Sequence, residues 1–400
     1  MVIMGIAAVY MVVNCDDLMS IFAPVCFAIQ LSVEFYKDYS ALAVYAYIAA
    51  VPVCAAFAFG LIRYRRPFKG GKLFWPLIAV SCALFLGGVG AISSEEYFSP
   101  LSLYYMAALG PAQLLIYMLV RSRAVNKREY NRAERVCEVL YAAGLLFVFV
   151  IFCFYLRNAG KAAEKGIIFY KPRNYVASVL LLCIPSTCVL AKRGFRYVIG
   201  MLAMHAAIVF SGSRSGLLIG SFITAACLFY AYMTDKKHRK TYNIALPIII
   251  ALCCSAAVIL PSLYAHRMAD ASEADSTRIR FIITGIDNFL SSPVFGIGVG
   301  NMKDIGIFKA HVAGWPMFYH NIVIQILSCT GLVGAAAYIW LFYSKLRVLA
   351  SCRRKAEFYA LVIAYAALFL MSLVNPGLWR PFPELAILTM SFALAESAAL

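Results

Sequence analysis

Three isolated charged side chains stand at turns in an otherwise apolar chain, and each is of a type that handles phosphate or protons. Arg214 lies in FSGSRSGLLIG, where Gly and Ser break one apolar helix and begin another. The free N–H groups of the new helix and the guanidinium then point at one place, an anion site suited to phosphate. The plainer alternative is a tight helical hairpin with a snorkelling Arg. That alternative explains the glycines but gives no reason for a cation at this turn.

Arg278 and Arg280 lie in STRIRFIITGIDNFLSSP. Ile279, Ile282, Ile283, Ile286, Phe289 and Leu290 follow helical spacing. Ser276 or Thr277 can cap the start, and Ser291-Ser292-Pro293 ends the run. The pattern predicts an amphipathic helix lying on a membrane surface or capping a bundle. At about 100° per residue, Arg278 falls at the edge of the apolar face, whereas Arg280 points away on the side shared with Asp287. A cation in a first turn opposes the helix dipole unless it helps to hold an anion. Arg278 is therefore the stronger candidate, and Arg280 reads as a solvated partner of an acidic residue.

His320 opens HNIVIQILSCTGLVG and is followed by Asn321. Of the five histidines, His205 falls in mid-span, His238 in a basic loop, and His266 and His311 in a polar loop without a motif. Only His320 stands at a helix mouth, where an imidazole suits general-base work near neutral pH; an interfacial side chain without chemistry is the alternative. Carboxylates are too few and scattered for a metal site or a paired-carboxylate glycosidase. PVFGIGVGN (293–301) is weak as a nucleotide cradle, because it follows a helix and lacks a Lys-Ser/Thr ending. It is sensible as a turn that folds the loop back. Ser213, Asn321 and Arg280 flank the three main residues and complete the candidate binding set.

The elements that must position these residues are apolar. The chain has 400 residues, of which 63% are hydrophobic and 14% charged, with a mean hydropathy of +0.80. Runs near twenty residues, long enough for a hydrocarbon core of about 30 Å, recur along it. Spans are expected at about 41–62, 73–92, 101–120, 136–156, 175–191, 195–211, 215–233, 242–260, 318–343, 357–374 and 384–399. The first 33 residues form one helix or two, and the apolar N-terminus, lacking a basic flank, is expected to stay in place as a helix. The expected fold is all-α: a single polytopic membrane domain over 1–400 with about twelve transmembrane helices and one long loop, 261–317, containing the amphipathic helix.

Charge orients this bundle. The net charge is +17, but the basic residues cluster in short loops between apolar runs, which argues against nucleic acid and for the positive-inside rule. RYRRPFKGGK (63–72), RSRAVNKREYNRAER (121–135), KRGFR (192–196), DKKHRK (235–240) and KLRVLASCRRK (345–355) carry most of the Lys and Arg and fall on one side, the cytoplasmic one. The basic loop 157–173 is an exception. Arg214, the long loop and His320 then emerge together on the extracytoplasmic face, where a substrate must arrive through the membrane. The thirteen cysteines lie almost wholly in apolar runs and read as small packing residues.

SGSRSGLL, then RIRFIITGIDNFLSSPVFGIGVGN from Arg278, then HNIVIQILSCTGLVG from His320, resemble in order the O-antigen ligase/polymerase superfamily. The resemblance covers about 211 to 337; where the family often has Trp four residues after the loop Arg, this chain has Ile282. The resemblance implies a GT-C-like, metal-independent, inverting glycosyltransferase of the cell membrane that needs no cofactor. Its donor would be an oligosaccharide on undecaprenyl diphosphate and its acceptor a second glycan. Arg214 and Arg278 would hold the diphosphate, and His320 would orient or deprotonate the acceptor hydroxyl. The expected activity is polymerisation of lipid-linked repeat units into a surface polysaccharide, alongside other polysaccharide-assembly proteins, since no extra acceptor-binding domain is visible. Ligation to a lipid, wall or protein acceptor is the alternative. A lipid-linked glycan transporter is less favoured, because neither an internal repeat nor a midplane charge cluster appears.

Overall fold

A computed structural model of the chain describes residues 2–14, 70–92, 100–124, 132–165, 173–247, 271–299, 318–352 and 356–398, with a few single positions between 19 and 62. The expected spans at 41–62 and 242–260, much of the loop 261–317, and Cys253, Cys254, His266 and His311 fall mostly or wholly outside these residues. The described chain is all-helical. Glu134–Arg157, Arg173–Arg193, Arg214–Thr234 and Ile322–Cys352 are long and apolar enough to cross a membrane; Phe74–Val89, Arg196–Ser211, Ala356–Ser372 and Ala386–Ser397 are shorter apolar helices. Large side chains such as Phe85, Phe149, Phe222, Phe229 and Ile339 face outward, as expected where the surroundings are lipid.

Two expected spans are interrupted by proline, which lacks an N–H and clashes with the preceding turn. The run at 101–120 becomes Pro100–Leu109 and Pro111–Ala124. The run at 175–191 begins as Arg173–Cys183 and tightens into 3-10 geometry at Ile184–Ser186, around Pro185. Its sides are buried all round, so this rod forms the bundle centre.

The helix Ile322–Cys352 is broken at Gly331 (φ 61°, ψ −160°). The segment after the amphipathic helix docks into the break. The N–H groups of Ile297 and Gly298 donate to the carbonyls of Ser328 and Cys329 (2.8 and 3.1 Å), and those of Leu332 and Val333 donate to Pro293 and Val294 (2.9 and 3.2 Å). Backbone groups that a helix would satisfy internally are thus satisfied by a second segment. A Cβ on Gly331 would lie 2.3 Å from the Val294 oxygen, and one on Gly296 2.4 Å from the Thr330 nitrogen. The glycine-rich stretch is therefore a clasp that locks loop to helix. From Leu332 to Cys352 the helix runs about 30 Å, while Ile322–Thr330 is a separate short helix beside the site.

Candidate active site

The turn bearing Arg214 is built by its neighbours. Helix Arg196–Ser211 ends at Gly212 in the left-handed region (φ 76°), and Ser213 caps the next helix by accepting from the Gly216 N–H through Oγ. Arg214 is the first residue of that helix and is half-buried. Ser213 Oγ also donates to Asn174 Oδ1 at 2.8 Å. Asn174 Nδ2 donates to Asn375 Oδ1 at 2.8 Å, and Asn375 Nδ2 donates to Ser215 Oγ at 2.9 Å. The two serines flanking Arg214 are thus tied through two asparagines into one ring of hydrogen bonds, with little freedom left to the turn.

The amphipathic helix spans Ala271–Ser291, beginning before Ser276 and Thr277. Alanine with Glu273 and Asp275 early in the sequence favours this earlier start. Arg278 therefore lies about two turns inside the helix, and the expected first-turn argument for it does not hold. What places Arg278 is the face it shares with Phe281, Gly285 and Asn288. Phe281 is buried and lies against the His320 ring at 5.7 Å with 32° between planes. Gly285 O accepts from Ser328 Oγ (2.6 Å), and Asn288 Nδ2 donates to Tyr319 OH (2.8 Å). Ile279, Ile283, Ile286 and Leu290 form a second, exposed apolar face, suited to a membrane surface. Arg280 and Asp287 are exposed, as their spacing predicted.

His320 sits between two anchors. The Tyr319 N–H donates to Gln325 Oε1 (2.9 Å), while Asn321 Oδ1 accepts from the Val323 and Ile324 N–H groups as the helix cap (3.0 and 3.2 Å). Between them His320 takes φ 55°, the positive-φ value among non-glycine described residues. Such backbone persists where the surroundings over-determine it. Asn321 Nδ2 also donates to Leu373 O at 3.2 Å, which joins this turn to the one at 373–380.

That last turn carries groups the sequence reading missed. Asn375 closes the ring around Arg214, and its side chain lies near His320. Arg380 lies with its guanidinium 5.4 Å over the Tyr175 ring, and Nη1 is 3.4 Å from Glu384 Oε1. Burial first, then the charges of Arg278 and Arg380, push the imidazole pKa down to about 4, against a smaller opposing effect of Asn375. Its Nδ1 is buried without a hydrogen bond among the described residues. The signal for these extra residues was NPGLWRP, a polar, kinked interruption between the last two apolar runs. Asn174 had no comparable signal.

The helix of Arg278 thus meets His320 through Phe281, and the turns of Ser213, Arg214 and Asn321 are tied to the 373–380 turn by hydrogen bonds. Arg280 faces away. A half-buried imidazole under the influence of two guanidinium groups can accept a proton next to a bound polyanion. Among curated proteins no relative matches the chain. Residues 199–339, which hold Arg214, Arg278 and His320, match the family described as O-antigen ligase, the superfamily that the three motifs resemble.

Proposed function

We propose that this chain is a membrane glycosyltransferase that polymerises undecaprenyl-diphosphate-linked repeat units on the extracytoplasmic face. The observation that carries this reading is the convergence of three turns at His320: Phe281, on the helix of Arg278, packs against its ring, and its neighbour Asn321 bonds to the 373–380 turn, whose Asn375 closes the ring around Arg214. The acceptor hydroxyl attacks the anomeric carbon as its proton passes to His320. The bond from that carbon to the diphosphate oxygen breaks with inversion, and the arginines stabilise the charge that develops on the leaving diphosphate. Guanidinium groups supply positive charge at the point where a metal ion could otherwise act. The site lies at the opposite end of helices Arg214–Thr234 and Ile322–Cys352 from the basic loops after them, and charge asymmetry puts those loops in the cytoplasm.

Transfer to a non-glycan acceptor is the second reading, favoured by the description of the matching family as ligases. Purified protein incubated with undecaprenyl-diphosphate-linked repeat units in a metal chelator tests both. A ladder of longer glycans that is lost in His320→Ala supports polymerisation. Transfer only after a second acceptor is added supports ligation, and normal elongation in His320→Ala and Arg278→Ala overturns the site.

A further inference from the structure

The turn at 373–380 does more than close the bundle. It follows helix Ala356–Ser372 and is pinned by Ser372 Oγ, which accepts from the Leu378 N–H at 2.7 Å and donates to Leu368 O at 2.6 Å. Its first half touches both neighbouring site turns, through Asn321 to Leu373 and Asn375 to Ser215. Its second half ends on Arg380, which is held from two sides. Tyr175, next to the ring residue Asn174, lies under the guanidinium, and Glu384 sits one helical turn further on. Glu384 is wholly buried and Arg380 is 18% exposed at its side chain. The guanidinium is therefore held in direction on a side chain that keeps some exposure, and a planar donor fork so held is suited to bidentate contact with phosphate oxygens.

Resting on the diphosphate-linked donor proposed above, we infer that Arg380 is a third phosphate-binding residue of the site, aimed by Tyr175 and Glu384 at the diphosphate held by Arg214 and Arg278. Its position matters because it lies outside the matched segment 199–339, on a turn that touches both neighbouring site turns. A third guanidinium beside Arg214 and Arg278 lets charge on both phosphates be met at once. The charged groups that bear on His320 are Arg278 from the amphipathic helix and Arg380 from this turn, with Glu384 behind Arg380.

Binding by the full-length protein in lipid nanodiscs decides it, with undecaprenyl diphosphate, inorganic pyrophosphate and undecaprenol as probes. Arg380→Gln is expected to weaken undecaprenyl diphosphate about 10- to 100-fold, the usual scale for a lost charge-assisted hydrogen bond. Pyrophosphate competition should weaken by a similar factor, and undecaprenol should be unaffected. Arg239→Gln, at the other end of the bundle, should leave all three unchanged. The acid limb of the kcat/KM profile should move to higher pH in Arg380→Gln and stay near its original place in Arg380→Lys, which keeps the charge. If Arg380→Gln does not fold, Arg380→Lys serves alone: a point charge without the fork should bind diphosphate about fivefold more weakly, and unchanged affinity overturns the inference. Unchanged diphosphate affinity in a folded Arg380→Gln, with stability lost equally in Glu384→Gln, makes Arg380 a structural partner only. If Arg214→Gln and Arg278→Gln also bind diphosphate normally, the proposed donor site itself falls.

Discussion

The two ends of the bundle handle buried charge in opposite ways. Near the basic loops, Arg121 and Glu396 form an ion pair of 2.9 Å with both side chains 5% exposed. Glu396 also accepts from Tyr117 OH at 2.6 Å and from the Lys72 N–H at 2.5 Å. This carboxylate is surrounded by donors, and the cluster ties three chain segments together. At the other end, Arg278 and Arg380 both bear on a half-buried His320 whose Nδ1 is buried with no hydrogen-bond partner among the described residues. One end closes its electrostatics within the protein. The other sets two guanidinium groups, one of them beside the buried Glu384, around a group that they help to keep neutral.

Substitutions at the two ends should therefore fail in different ways. His320→Ala is expected to lower turnover by about 10²- to 10⁴-fold, the scale of a lost general base, while the thermal midpoint in detergent stays close to that of the parent. A variant that keeps glycan transfer within tenfold would break the contrast. Glu396→Ala should do the reverse. It leaves Arg121 buried without its carboxylate and is expected to cost about 3–5 kcal/mol, read as a large fall in thermal midpoint. Turnover per folded molecule should remain close to the parent's, since this cluster lies away from the site.

The ring of Asn174, Asn375, Ser213 and Ser215 sharpens the comparison, because it is polar, half-buried to buried, and yet serves the site. Asn375→Ala removes two of its hydrogen bonds and leaves Asn174 Nδ2 without this acceptor, at an expected cost of about 1–3 kcal/mol. Because the ring positions the Arg214 turn, a larger effect should appear on donor KM than on stability. Asn375→Asp, which keeps an acceptor for Asn174, should restore part of the loss. Equal KM values in the parent and Asn375→Ala would reduce the ring to packing.

Much of this frame was legible because membrane helices announce themselves by length and apolarity. The runs at 73–92, 195–211, 215–233 and 357–374 appear within a residue or two of expectation. Arg214 and His320 stood out for the same reason, as single polar groups at turns in an apolar chain. Less legible was anything set by contact between distant segments. The break at Gly331 looks like ordinary apolar sequence, since its cause is a clasp from Pro293–Gly298 more than thirty residues upstream. Arg278 was selected for a helix start that lies elsewhere, and its place follows instead from Phe281 on the same face. Asn375 and Arg380 stand in the polar interruption NPGLWRP, which marks a turn but not what that turn meets. Only the meeting of three turns gives them a role.

The smallest expected effect is also the most specific to the positive end. In the free protein, burial and two guanidinium groups hold the His320 pKa at about 4, so the imidazole stays neutral well below physiological pH. A bound diphosphate would place negative charge among the same arginines and so raise that pKa. The sign follows directly: the acid limb of kcat/KM, which reports the free enzyme, should fall near pH 4, and the acid limb of kcat, which reports the complex, should lie higher. The base would thus become stronger once its donor is in place. Activity measured from pH 3.5 to 8 at low and saturating donor separates the two limbs. Coincident limbs would mean that the anion binds too far from His320 to be felt, and the site would then have to be divided between two places.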